Sequence, residues 1–89
     1  MALLDFYGET CPHCVAMKPL LAQLEGELGV TVEKYEVWNS PENAKKMAEY
    51  DHDNECGGVP YFYNTESKQH ICGSTDYETL KKWAQGGTI

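Results

Sequence analysis

The run Asp5-Phe6-Tyr7-Gly8-Glu9-Thr10-Cys11-Pro12-His13-Cys14 carries a short apolar segment into a Cys-x-x-Cys at the start of a helical pattern. Cysteines in that place can do redox chemistry. At a helix start, unsatisfied backbone N–H groups and the positive end of the helix dipole stabilise a thiolate, the nucleophile in disulfide exchange. Cys11 is therefore the expected attacking sulfur. Cys14, one turn further on the same side, can close a disulfide with Cys11 and so resolve a mixed disulfide with a substrate. Pro12 suits the first helical position, where its missing N–H is no loss. His13 adds an imidazole dipole or charge near the sulfur, which favours the thiolate further.

Two other uses of the motif compete. A zinc ribbon needs a second Cys-x-x-Cys, but Cys56 and Cys72 stand apart from one another, so no metal is expected. A purely structural Cys11–Cys14 disulfide closes too short a loop to restrict the unfolded chain much. A non-catalytic redox or metal-binding module using the same cysteines as ligands is the alternative from a different functional class.

The elements that position the pair come from the rest of the chain. Its 89 residues, 42% of them apolar, predict one domain over residues 1–89 with a small core. A formal charge of −7 argues against nucleic acid and anionic membranes as partners. No stretch approaches the roughly 20 apolar residues of a membrane span. Met1-Ala2-Leu3-Leu4-Asp5 has neither the basic region nor the apolar length of a signal peptide. The expected location is the cytoplasm, where four cysteines with one Cys-x-x-Cys fit catalysis better than a disulfide framework.

Leu3 to Tyr7 reads as a buried strand, with Asp5 as its anomaly: a buried carboxylate, or an edge position facing water. Cys14, Met17, Leu21, Leu24 and Leu28 mark one helical face, interrupted by Pro19 and stopped at Gly29. Val30 to Trp38 reads as a second strand, parallel to the first across the helical crossover. Lys34 within it either faces solvent or partners Asp5. Ser40-Pro41-Glu42 opens a second helix with Ala44, Met47 and Ala48 as its apolar side, ending near Tyr50. Residues 51–58 read as an acidic, glycine-rich loop, in which His52 with Asp51, Asp53 and Glu55 could hold a cation but more commonly stays solvated. Val59 to Tyr63 and Gln69 to Cys72 pair as an antiparallel hairpin across a polar turn. Asp76 caps a last helix carrying Tyr77, Leu80, Trp83 and Ala84.

With these residues in place, the chain resembles the thioredoxin-fold thiol–disulfide oxidoreductases over nearly all its length. Asp5 stands six residues before Cys11, Pro19 five after Cys14, and Lys34 in the second strand, as the family's buried acid, kinking proline and paired lysine do. Gly58-Val59-Pro60 resembles the family's cis-proline motif, and Gly73 precedes the last helix as a family glycine does. The resemblance implies an α/β thioredoxin fold in its minimal, glutaredoxin-sized form, βαβ-α-ββα, with a four-stranded mixed sheet and three helices. It implies Cys11 and Cys14 as the catalytic couple and Asp5, paired with Lys34, as a buried base acting through water on Cys14. It further implies a cis Pro60 against the cysteines, with Val59, Pro60 and Gly73 contacting substrate through main chain.

Departures qualify this likeness. The tryptophan before thioredoxin's first cysteine is Thr10 here, and the dipeptide between the cysteines is Pro-His, as in DsbA-type oxidants. The alternative is a glutathione-dependent glutaredoxin, because Cys72-Gly73-Ser74-Thr75-Asp76 approximates that family's glycine pair and acid. Against it, Tyr7, Gly8, Glu9 and Thr10 supply no basic residue, and the acidic balance disfavours an anionic tripeptide. Cys56 and Cys72 are a second redox pair, an accessory thiol, a structural bridge or, most commonly for cysteine, small buried residues. The expected protein is a monomeric enzyme without a bound cofactor, exchanging its dithiol with protein thiols and disulfides. A reductase or glutathione is its expected electron donor.

Overall fold

The computed structural model describes residues 3–51 and 56–87. The cation site considered at His52, Asp53 and Glu55 lies outside the described residues. In chain order the elements are β1 (Leu3–Tyr7), α1 (Pro12–Leu28), β2 (Val32–Glu36), α2 (Pro41–Tyr50), β3 (Tyr61–Asn64), β4 (His70–Cys72) and α3 (Tyr77–Ala84). They form one four-stranded sheet in the order β2-β1-β3-β4. β1 and β2 run parallel, joined by α1, while β1–β3 and β3–β4 are antiparallel. This is the βαβ-α-ββα mixed sheet expected from the sequence.

Strand alternation sorts the core into two layers, because successive side chains point to opposite faces. Leu3 from β1, Val32 from β2 and Phe62 from β3 join Met17, Leu21 and Leu24 of α1 and Leu80, Trp83 and Ala84 of α3. Leu4 and Phe6, the alternate residues of β1, join Tyr61 and Met47 of α2 on the other face. Each leucine fully withdrawn from water contributes about 1.5–3 kcal/mol. By the same alternation Asp5 lies on the Leu3 side, under α1. Its strand is central, so Asp5 is not an edge residue facing water: it is 5% exposed.

The inner face of α2 differs from the sequence expectation. Ala44 and Ala48 are exposed, and the helix instead turns Asn43, Met47 and Tyr50 inward. Asn43 wins that place because its amide Nδ2 donates to the carbonyl of Glu36 at 2.9 Å, a bond alanine cannot make. Tyr50 then packs on Tyr63 with ring centroids 4.6 Å apart. Asn64, expected as part of a polar turn, is buried at the end of β3. Its Nδ2 donates to Trp83 O at 2.9 Å and its Oδ1 accepts from Glu66 N at 3.0 Å, which ties α3 to the β3–β4 turn.

Cys56 and Cys72 form a disulfide, with Cα atoms 5.5 Å apart. They are not the free buried cysteines that composition favours. Register makes the bridge available: Cys72 sits across from Tyr61, so the segment leading into β3 passes beside it. The carboxylate of Asp51 accepts the N–H groups of Cys56 at 2.9 Å and Gly57 at 3.0 Å, which fixes that segment at its start. The bridge spans 16 residues of sequence, and closing a loop of that size in the unfolded chain stabilises by about 3 kcal/mol. The double variant Cys56→Ser, Cys72→Ser is expected to lose that much stability in urea denaturation; an unchanged midpoint would show the bridge to be energetically idle.

Candidate active site

The site starts at the sulfur of Cys11. Cys11 is the N-cap of α1, in extended conformation, and its Sγ accepts the N–H of Cys14 at 3.1 Å. Pro12 follows at the first helical position, where no N–H is required. The helix thus begins with a sulfur where serine or aspartate usually serves. Cys11 and Cys14 are joined in a disulfide with Cα atoms 5.2 Å apart. Both are buried, whereas Pro12 and His13 are exposed.

The strand ends and loops around α1 hold this geometry. Cys11 N donates to Gly8 O at 3.1 Å, so β1 turns into the helix through one tight turn. Opposite it, the Val59–Pro60 peptide bond is cis, and Cys11 Sγ lies 3.9 Å from Val59 O. Gly73, at φ 91°, donates its N–H to Pro60 O at 2.8 Å. A side chain would strain that left-handed backbone, so glycine is required there. Cys11, Val59, Pro60 and Gly73 are therefore brought together, and the Cys56–Cys72 bridge borders the same loop.

Asp5 lies behind the disulfide. It lines a cleft of about 190 Å³ with Tyr7, Cys14, Lys18, Leu21 and Lys34. Lys34 is its neighbour in parallel register. The lysine's ammonium, however, donates to Glu25 Oε1 at 3.3 Å, so its ion pair is with α1 and it reaches Asp5 only as a charge across the cleft. Asp5 Oδ1 has no hydrogen-bond partner among the described residues. Burial accordingly pushes its pKa up to about 7, against a smaller lowering by the Lys34 charge.

The Glu36 carboxylate gathers the N–H groups of Glu9 at 3.0 Å, Trp38 at 3.0 Å and Asn39 at 2.8 Å. Partial withdrawal from water pushes its pKa up, but these donors outweigh that and hold it below the usual carboxylate range. Asn39 Nδ2 returns a bond to Glu9 Oε2 at 2.9 Å, so the loops after β1 and β2 are locked together. Trp38 then covers Gly8 so closely that a Cβ there would stand 2.7 Å from its Cε3. Nothing in strand periodicity marks a glutamate at a strand end as the organiser of two loops.

The family model for thioredoxin matches residues 1–86. The chain belongs to the thioredoxin family. Among solved structures it is similar to the glutaredoxin grx-1 of Archaeoglobus fulgidus, with a TM-score of 0.61 and 27% identity over 96% of this chain and 88% of that one. No curated protein matches it. The thioredoxin fold with a glutaredoxin-like, disulfide-forming Cys-x-x-Cys is thus that of a redox protein. Among the described residues, no three His, Cys, Asp or Glu side chains converge to hold a metal ion.

The raised Asp5 pKa has a stability consequence. The folded chain holds the Asp5 proton more tightly than the unfolded one, so the stability due to this group is complete below about pH 4 and is lost as pH rises through about 7. Asp5→Asn never bears the charge. Its stability relative to wild type is expected to rise between pH 5 and pH 8, by up to about 3 kcal/mol for a shift of this size. Urea denaturation of both proteins at the two pH values measures this; a pH-independent difference would mean that Asp5 titrates normally.

Proposed function

We propose that this chain is a thiol–disulfide oxidoreductase whose Cys11–Cys14 couple exchanges electrons with disulfides or dithiols of polypeptides. The observation that carries the reading is the placement of Cys11: helix N-cap, disulfide partner of Cys14, and neighbour of the Val59 carbonyl ahead of cis-Pro60. An extended substrate segment pairs with the Val59 main chain, presenting its sulfur to Cys11 with little demand on side-chain sequence.

In the reducing direction the Cys11 thiolate attacks one sulfur of the substrate disulfide. The substrate S–S bond breaks, the Cys11–substrate bond forms, and the other substrate sulfur leaves as a thiolate. Cys14 then gives up its proton and attacks Cys11 Sγ, releasing the second substrate thiolate and leaving Cys11–Cys14 oxidised. Two electrons have passed to the substrate, whose thiolates take up two protons. Asp5, in the cleft that Cys14 also lines, is the proposed acceptor of the Cys14 proton, through water. Pro12 and His13 at the helix start bias the couple toward the thiolate. In the oxidising direction the same steps run backwards.

Glutathione dependence is the second reading, favoured by the structural likeness to a glutaredoxin. The start of α3, where a glutathione carboxylate could sit, is already capped: Asp76 Oδ1 accepts Thr79 N at 2.8 Å, and Glu78 adds a second acid in that turn. An incoming carboxylate meets two negative charges there. Localisation in the cytoplasm and a protein reductase as electron donor complete the reading.

Cys11→Ser is expected to abolish exchange, and Cys14→Ser to accumulate a Cys11–substrate mixed disulfide detectable by mass. Exchange surviving in Cys11→Ser would overturn the mechanism. Equilibration of the couple in glutathione buffers reads the direction: a potential near about −270 mV marks a reductase, and one above about −200 mV an oxidant or isomerase.

A further inference from the structure

Two large apolar side chains stand exposed among the described residues, and both lie near the start of α1. Trp38 is 54% exposed and Val15 49%. Val15 donates its N–H to Cys11 O at 3.0 Å, and Trp38 lies over Gly8, whose carbonyl accepts from Cys11 N. Trp38 belongs to neither buried cluster, so it does not fill the core. Its backbone is nevertheless held by the Glu36 carboxylate, and its ring rests on a residue without a side chain. The result is an aromatic side chain half exposed to water and packed over the turn that leads into Cys11, in surroundings otherwise set by Glu9, Glu36 and Asn39.

We propose that Trp38 is a specificity-determining contact, on which an apolar side chain close to the reacting cysteine of a polypeptide substrate docks. This rests on the exchange reaction proposed above. The occupant is an extended polypeptide segment, because Trp38 covers Gly8, Gly8 O accepts Cys11 N and Cys11 Sγ stands 3.9 Å from the Val59 carbonyl, so the indole joins by direct contacts to the place of main-chain pairing. The Cys11 N–H to Gly8 carbonyl bond closes a β-turn, which keeps those two Cα atoms within about 7 Å. Two residues of extended chain, at about 3.3 Å each, cover that distance. A side chain about two positions from the bound cysteine therefore reaches the indole. Tryptophan suits the task because it offers a large contact area at small conformational cost. Glutathione has only a glutamyl and a glycyl unit beside its cysteine, so it leaves the surface empty.

The test uses two short peptides, identical except for leucine or glycine two positions from a single cysteine. Each is activated as a mixed disulfide with a chromogenic thiol, whose release is followed with the reduced protein. Wild type is expected to react with the leucine peptide about tenfold faster, the scale set by burying one aliphatic side chain. Trp38→Ala is expected to bring the ratio close to one, and Trp38→Phe to keep most of it. Gly8→Ala, which displaces the ring without removing it, is expected to lower the ratio as Trp38→Ala does. A second readout avoids altering either residue: in Cys14→Ser trapped as the leucine-peptide mixed disulfide, acrylamide quenching of the exposed tryptophan falls, while buried Trp83 stays inaccessible in either complex. Equal reaction of wild type with both peptides, a ratio preserved in Trp38→Ala, or equal quenching in the two trapped complexes would overturn the proposal and leave the exchange reaction standing. No release from either peptide by reduced wild type would overturn the exchange reading itself, and this inference with it.

Discussion

The backbone N–H groups at the start of α1 need an acceptor, and the sulfur of Cys11 is the one supplied. That interaction couples fold to chemistry, because the same donors that complete the helix also favour negative charge on the sulfur. It imposes geometric demands on everything around it. β1 must end close enough for Gly8 to turn the chain into the helix, and the loop before β3 must place Val59 on the other side of the sulfur. The sheet order β2-β1-β3-β4 meets both demands, since it puts β1 between the strand that follows α1 and the strand that follows the cis-proline loop. Segments distant in sequence thus converge on one sulfur without a large core.

Small size makes the loops the weak part of this arrangement. A chain of 89 residues buries a limited core, and the segment leading to Pro60 has little strand of its own. It is held instead by the Asp51 carboxylate, the Cys56–Cys72 bridge and the Gly73 N–H on Pro60 O. The loop after β1 has its own device in Glu36, which satisfies three N–H groups from two loops. Both are local polar or covalent ties where apolar burial is insufficient.

How much of this the sequence shows depends on whether the cause is local. The Cys11 N-cap with Pro12 behind it, the Ser40 and Asp76 caps and the buried strand β1 follow from neighbouring residues, and all appear where the sequence predicts them. Asp5 is ambiguous by spacing alone, because a lone acid in a strand reads equally well as an edge; only the position of β1 inside the sheet decides it. The inward face of α2 goes to Asn43 because of a carbonyl in another element. The Cys56–Cys72 pairing depends on β3–β4 register, and the Trp38 contact on a glycine thirty positions earlier. Such long-range pairings have no periodic signature, so one sequence does not display them.

The burial of Asp5 places a structural liability in the cleft behind the disulfide. With a pKa of about 7, the carboxyl destabilises the fold whenever it is ionised above neutrality. In the proposed reaction the same shift helps. Moving a proton from an ordinary thiol, pKa about 8.5, to an ordinary aspartate near 3.9 is uphill by about 6 kcal/mol. Moving it to a carboxyl near 7 is uphill by about 2 kcal/mol. A solvated aspartate at position 5 would leave a steadier protein and a poorer proton acceptor for Cys14. The Lys34 charge works against the elevation, and its ion pair with Glu25 keeps it from joining Asp5 directly. A direct Lys34–Asp5 ion pair would lower the Asp5 pKa further and forfeit much of that 4 kcal/mol difference. In the proposed reaction the placement of Glu25 on α1 therefore bears on proton transfer as well as on helix–sheet packing.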